Sequence, residues 1–261
     1  MQVSSVAETN VTIRIGHQNI RSLRGCKCLE IDVALENENL DIMCITEHWL
    51  TQDELLLVNL DGFIRTSFYC RPSSAHGGAG IFLKKSISNY FIRTDIVDMS
   101  IENHFEVAAI ELSAQSVSQR LVVVALYRPP QGSIQTFLDK MHELLYTLNK
   151  GRNTNKQIVI AGDFNINFLD SNCMFTTQIV DLLVQFNMDI TITAATRVTN
   201  TSATCIDNIV TNVSEERRTS TVKDWLLSDH LAQIIGIDIN FEPVPLKRQN
   251  FPRKEYPVKK M

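Results

Sequence analysis

Gln157-Ile158-Val159-Ile160-Ala161-Gly162-Asp163-Phe164-Asn165 is an apolar run that stops at a glycine, a carboxylate and an amide. Its β-branched content and short length predict a buried strand over 157–161 that delivers Asp163 at its end. A Gly-Asp pair after a strand is, taken alone, an ordinary turn with an Asx hydrogen bond. Here the pattern recurs. Apolar strands end on Asn19, Glu47, Tyr127, Asp163 with Asn165, Asp207 with Asn208, and Asp229 with His230. No Ser or Cys nucleophile motif accompanies them. Carboxylates and amides gathered at strand ends suit a hard cation such as Mg²⁺, which prefers oxygen ligands and pairs with substrate phosphates.

Outward from that strand, the pattern alternates strands and helices. Strands are predicted over 11–16, 41–46, 63–68, 79–84, 107–112, 121–127, 205–211 and 231–239. A helix over 28–40 carries Leu29, Ile31, Val33 and Leu35. A second, capped by Ser133 and ended by Gly151, carries Phe137, Met141, Leu144, Leu145 and Leu148 at helical spacing. A third covers 178–186, with Ile179, Leu182, Leu183 and Phe186 inward. This interleaving predicts one α/β catalytic domain over 11–240, preceded by a polar arm over 1–10 and followed by a basic tail over 241–261. Lys247, Arg248, Arg253, Lys254, Lys259 and Lys260 against Glu255 give the tail a charge of +5 within a chain of net −4. With Pro245, Pro252 and Pro257 it reads first as a linker, and second as a DNA-backbone or nuclear-localisation patch.

The chain has 261 residues, 44% hydrophobic and 21% charged, a globular composition. The six cysteines include no CxxC pair, which argues against a zinc site or a disulfide framework and for reduced thiols in nucleus or cytoplasm. No apolar stretch has the length of a membrane span, and the first residues lack a signal-peptide core.

The ordered set Gln18-Asn19-Ile20-Arg21-Ser22-Leu23, Thr46-Glu47-His48-Trp49, Leu126-Tyr127-Arg128-Pro129-Pro130, Gly162-Asp163-Phe164-Asn165, Ile206-Asp207-Asn208-Ile209 and Ser228-Asp229-His230 resembles the endonuclease/exonuclease/phosphatase superfamily. It is most similar to the endonuclease domain of non-LTR retrotransposons. The resemblance implies a four-layered α/β/β/α sandwich with two packed, mainly antiparallel sheets. It implies Glu47 as the main Mg²⁺ ligand, helped by Asn19 and Asp229, with Mn²⁺ a possible substitute. Asp163 would orient or deprotonate the attacking water. Asn165 would hold a phosphate oxygen, Tyr127 would donate its phenol to the phosphate, and His230 would meet the scissile phosphate with Asp207 setting its tautomer and charge. Thr196, Arg197 and Ser228 fall beside the phosphate, and Arg128 and Ser202 near the DNA backbone. His17, His48, His76, His104 and His142 receive no role. Repair-type relatives carry an acid where Arg21 stands, a departure that favours the retrotransposon type.

The implied activity is a Mg²⁺-dependent endonuclease that nicks DNA and leaves a 3′-hydroxyl. In a full-length relative, that end would prime a reverse-transcriptase domain. Two alternatives share the pattern. One is a phosphomonoesterase or phospholipase of the same superfamily, acting on inositol phosphates or lipid head groups. The other is a non-catalytic remnant or binding module.

Overall fold

A computed structural model of the chain describes residues 9–74, 76–87, 89–112, 120–150 and 156–241. In chain order the elements are β1 (Thr9–Asn19), α1 (Lys27–Asn37), β2 (Ile42–Thr46), α2 (Gln52–Leu55), β3 (Phe63–Tyr69), β4 (Ala79–Lys84), β5 (Tyr90–Ile92), α3 (Thr94–Val97), β6 (Glu106–Leu112) and β7 (Arg120–Tyr127). There follow α4 (Ile134–Asn149), β8 (Lys156–Asp163), α5 (Met174–Gln185), β9 (Asp189–Ile190), β10 (Arg197–Val198), β11 (Ala203–Thr204), β12 (Asp207–Thr211), β13 (Arg218–Lys223) and β14 (Ala232–Phe241).

Two six-stranded sheets form, ordered β13-β14-β1-β2-β4-β3 and β5-β6-β7-β8-β12-β9, with β10-β11 as a small separate hairpin. Each large sheet has a single parallel pair, β1 with β2 and β7 with β8; the rest is antiparallel. The continuous apolar runs are explained by burial on both faces. Leu121, Val123 and Ala125 of β7, with Val159 and Ala161 of β8, meet Ile13, Ile15, Ile42 and Cys44 between the sheets. Their alternates Val122, Val124, Leu126, Ile158 and Ile160 pack outward against α4 and α5. Met43 and Ile45 pack outward against Ile31 and Leu35 of α1. The result is the expected α/β/β/α layering.

Ser133 caps α4 as expected, its Oγ accepting from Thr136 N at 3.2 Å. Two helices differ from expectation. In α1 the core face is Ile31, Ala34 and Leu35, while Leu29 and Val33 are exposed. Apolar residues occur all round this helix, so spacing alone does not choose a face. Helix α5 begins at Met174, a turn before the expected start, because Thr176 also turns inward. Gly151 and residues 242–261 of the basic tail lie outside the described residues. Strand pairing reaches Thr9 and Phe241, just past both expected domain limits.

Gly162 is required by the parallel pair that carries the site: a Cβ there would run into the backbone of Leu126. Gly78, at φ +93°, has a similar reason, since a Cβ would strike the His48 ring. That ring is buried. Its Nδ1 accepts from Leu50 N at 3.1 Å, so Nε2 carries the proton and donates to Tyr69 O at 2.9 Å. Burial lowers the His48 pKa from 6.5 to about 4. The folded chain therefore binds fewer protons than the unfolded chain between those values. The stability His48 contributes is present above pH 6.5 and is lost as pH falls towards 4. Urea unfolding at pH 7 and pH 5 should show about 2 kcal/mol less acid sensitivity in His48→Gln than in the parent; equal sensitivity would reject this account.

Candidate active site

One cross-strand row organises the site. Glu106, Tyr127, Asp163 and Asp207 are mutual register partners on β6, β7, β8 and β12. The facing sheet ends in a parallel row, Asn19 beside Thr46 and Thr46 beside Ala79, with Glu47 one residue on. Charged groups at the ends of apolar strands thus meet in one place because neighbouring strands stop together.

Asn19 Nδ2 bridges the two rows, donating to Glu47 Oε1 and Asp163 Oδ2, each at 2.8 Å. Tyr127 OH also donates to Glu47 Oε1 at 3.0 Å, and Trp49 Nε1 to Oε2 at 3.0 Å. Three donors thus hold the Glu47 carboxylate. Glu47 sits at φ +55° and Trp49 at φ +59°, so the chain after β2 is bent away from extended geometry where these side chains are aimed. Burial, and then the Glu47 and Asp163 charges, raise the Tyr127 pKa, so the phenol stays a neutral donor.

Asp163 is 1% exposed. Its Oδ1 accepts from Asn165 N at 2.9 Å, and Asn165, at φ +48°, donates through Nδ2 to Arg128 O at 2.8 Å. Burial and the neighbouring Asp207 charge push the Asp163 carboxyl up to about 8, against the pull of His230 and the two N–H donors. Once ionised, such a carboxylate is a stronger proton acceptor than an ordinary one.

His230 Nδ1 contacts Asp207 Oδ2 at 2.9 Å and Oδ1 at 3.1 Å. A carboxylate at Nδ1 fixes the proton there and leaves Nε2 for the cleft. Burial disfavours the imidazolium, but the bond to Asp207 and the charges of Asp207, Asp163 and Asp229 outweigh it and raise the pKa. Gln18 Nε2 holds the His230 carbonyl at 2.6 Å.

Other expected residues take different places. Thr196 is fully buried behind the site; its Oγ1 donates to Asp207 Oδ2 at 2.8 Å, so it positions Asp207 and does not reach the rim. Ser228 Oγ donates to Asn19 O at 2.5 Å and accepts from His230 N at 3.1 Å, a staple between two site strands. Arg128 turns away from the cleft: it is 6% exposed, and its guanidinium donates to the carbonyls of Phe164, Asn165 and Gly132. Ser202 is exposed at the tip of the β10-β11 hairpin, bonded to Thr199. Asp229 is ion-paired instead of lying with the acidic row. Its Oδ1 takes Arg21 NH1 at 2.9 Å, and its Oδ2 takes Arg197 Nε and NH2 at 2.9 and 2.7 Å. Burial opposes ionisation there, but the two arginines hold the carboxyl down at about 2.

The cleft, about 320 Å³, is lined by Arg21, Glu47, Tyr127, Asp163, Arg197 and His230 among others. It also contains residues that sequence reasoning missed. Trp49 and His76 stand edge to face, centroids 4.5 Å apart. Arg71 is held from behind by the buried Glu106, Nε to Oε1 at 2.6 Å. Trp49 is the last residue of the quoted motif Thr46-Glu47-His48-Trp49, where it was given no role. Arg71 and Glu106 are far apart in sequence, and no spacing rule links them. His17 is buried beneath the site, between Gln233 at 2.5 Å and Thr46 at 3.2 Å.

The described helices include none long and apolar enough to cross a membrane. No curated protein matches the chain by sequence. Among solved structures, the endonuclease domain of TRAS1, a telomere-specific non-LTR retrotransposon, superposes with a TM-score of 0.67 at 13% identity, covering 87% of this chain and 98% of that one. A 3′ phosphatase from Neisseria bound to product DNA gives 0.65 at 14% identity, covering 87% and 99%. The Xenopus laevis APE2 catalytic domain gives 0.63 at 18% identity, covering 87% and 92%. At such identities these likenesses show the fold. The family profile spans residues 30–230, from α1 through His230. The chain belongs to the endonuclease/exonuclease/phosphatase family.

Proposed function

We propose that this protein is a divalent-metal-dependent endonuclease that hydrolyses one DNA phosphodiester bond per event and leaves a 3′-hydroxyl. The observation that carries the reading is the placement of Asp163 between the Asp207–His230 pair and the Glu47 cage, in a cleft edged by Arg21 and Arg197. Guanidinium groups at the rim suit a polyanion.

Asp163, Asp207 and His230 bring ligand atoms within 4.8 Å of one another, but His230 Nδ1 and Asp207 are spent on each other. Glu47 and the Asn19 side-chain oxygen are the hard donors that would hold Mg²⁺, or Mn²⁺ in its place. When bound, the cation supplies charge stabilisation at the phosphate oxygens. The residues do the rest. Asp163 accepts a proton from the attacking water as its oxygen bonds to phosphorus. The bond from phosphorus to the 3′ oxygen breaks, and that oxygen takes up a proton. His230 Nε2–H and the free Asn165 Nδ2–H donate to the phosphate oxygens, as neutral or cationic donors that do not repel the anion.

Incubating the purified chain with supercoiled plasmid should give open circles with Mg²⁺ or Mn²⁺ and none with EDTA, and DNA ligase should reseal them. Release of phosphate from inositol phosphates with the plasmid intact would favour the phosphomonoesterase alternative and reject this one.

A further inference from the structure

The acidic row does not end at Tyr127. One strand further, Glu106 occupies the same register position, and it carries a guanidinium instead of facing the cleft itself. Glu106 is fully buried and accepts from Gly78 N at 2.6 Å and Asn103 N at 3.2 Å as well as from Arg71. It therefore fixes both loops that flank Arg71. The Arg71 side chain is only 7% exposed, yet it lines the cleft, its Cζ 6.0 Å from the centre of the Tyr127 ring. Gly77, at φ +85°, leaves room for it, because a Cβ there would overlap the guanidinium.

Glu106 engages only Nε. Of the terminal nitrogens, NH1 has a long 3.4 Å contact with Ser74 Oγ, and NH2 has no partner among the described residues. A guanidinium that is clamped from behind, with its fork unspent, is pre-organised for an anion. Glu106, which holds it, lies two strand spacings from Asp163, roughly 10 Å. At that separation the guanidinium is offset from the scissile phosphate towards a neighbouring phosphate of the backbone.

We infer that Arg71, set by Glu106, forms a second phosphate subsite for the DNA backbone flanking the scissile bond. The inference rests on the endonuclease reading above. Arg71 is paired with Glu106 at one end of the row; Arg21 and Arg197 are paired with Asp229, which adjoins His230 and so Asp207 at the other end, so a strand lying along the row meets a guanidinium on either side of the chemistry.

The test uses a defined duplex in which single phosphates around the cut site are replaced by neutral methylphosphonates. In the parent protein, one flanking replacement should raise KM about tenfold. In Arg71→Met combined with Glu106→Gln, which leaves no buried charge unpaired, KM for unmodified DNA should rise about tenfold and that replacement should have no further effect. The salt slope of binding, measured in EDTA, should fall by about 1. Glu106→Gln alone and thermal melts control for folding. If the double variant nicks with parental KM, or every methylphosphonate acts equally in both proteins, Arg71 is only a loop anchor and the inference fails alone. If the parent neither binds nor nicks DNA, the endonuclease reading fails and takes this inference with it.

Discussion

Replacing His230 with alanine is expected to slow plasmid nicking by about 10³-fold. Among the described residues the imidazole is the only cation that touches the buried Asp207, and its Nε2 is the group left to meet phosphate. Alanine removes both the donor and the charge that lets Asp163 and Asp207 lie close together. A gentler change isolates the electrostatic part. Asp207→Asn keeps the bulk but removes the carboxylate that raises the His230 pKa against burial. The imidazolium should then lose its proton at lower pH, so the alkaline limb of the rate profile should move to lower pH, with a loss of about 10²-fold at neutral pH. Rates at pH 6 to 9 for parent and variant check this. A parental profile in Asp207→Asn would show that His230 does not act as a cation.

Glu47→Gln should cost about 10³-fold in nicking, the scale of several kcal/mol of cation stabilisation at the phosphate. Its more telling readout is stability. A ligand that binds only the folded chain adds about 2.7 kcal/mol at a hundred times its Kd. Mg²⁺ should therefore raise the Tm of the parent and leave that of Glu47→Gln unmoved. The glutamine oxygen can still accept from Asn19 and Tyr127, so that part of the cage persists while the charge and the bond from Trp49 Nε1 are lost. A parental Mg²⁺ shift in this variant would place the cation on other residues.

Much of this was legible in sequence because strand ends are local signals. Asp163, Asp207 and His230 meet because apolar runs stop at the same rim, and those stops can be read one strand at a time. Side-chain direction was harder to read. Arg128 adjoins Tyr127, but successive residues of a strand face opposite ways, which sends it into backbone carbonyls behind the site. Thr196 and Ser228 lie at the right places in the chain, and their hydroxyls are spent on site residues. Asp229 looked like one more carboxylate until Arg21 and Arg197 closed on it. Arg71 was invisible for a different reason: its meaning depends on Glu106, 35 residues away.

The ion pairs around the cleft also govern the order in which its occupants arrive. Glu47, Asp207, Asp229 and Glu106 face Arg21, Arg71, Arg197 and the His230 imidazolium, while burial and Asp207 favour the neutral form of Asp163, so the pocket is close to electroneutral. Such a pocket gives a polyanion little net attraction. A divalent ion held by Glu47 and Asn19 would make the local field positive, and by reciprocity a polyanion would then tighten the ion. For the proposed endonuclease, the balance built by those arginines would let each guest favour the other's entry, and it would loosen, without abolishing, the grip of the metal-free protein on nucleic acid.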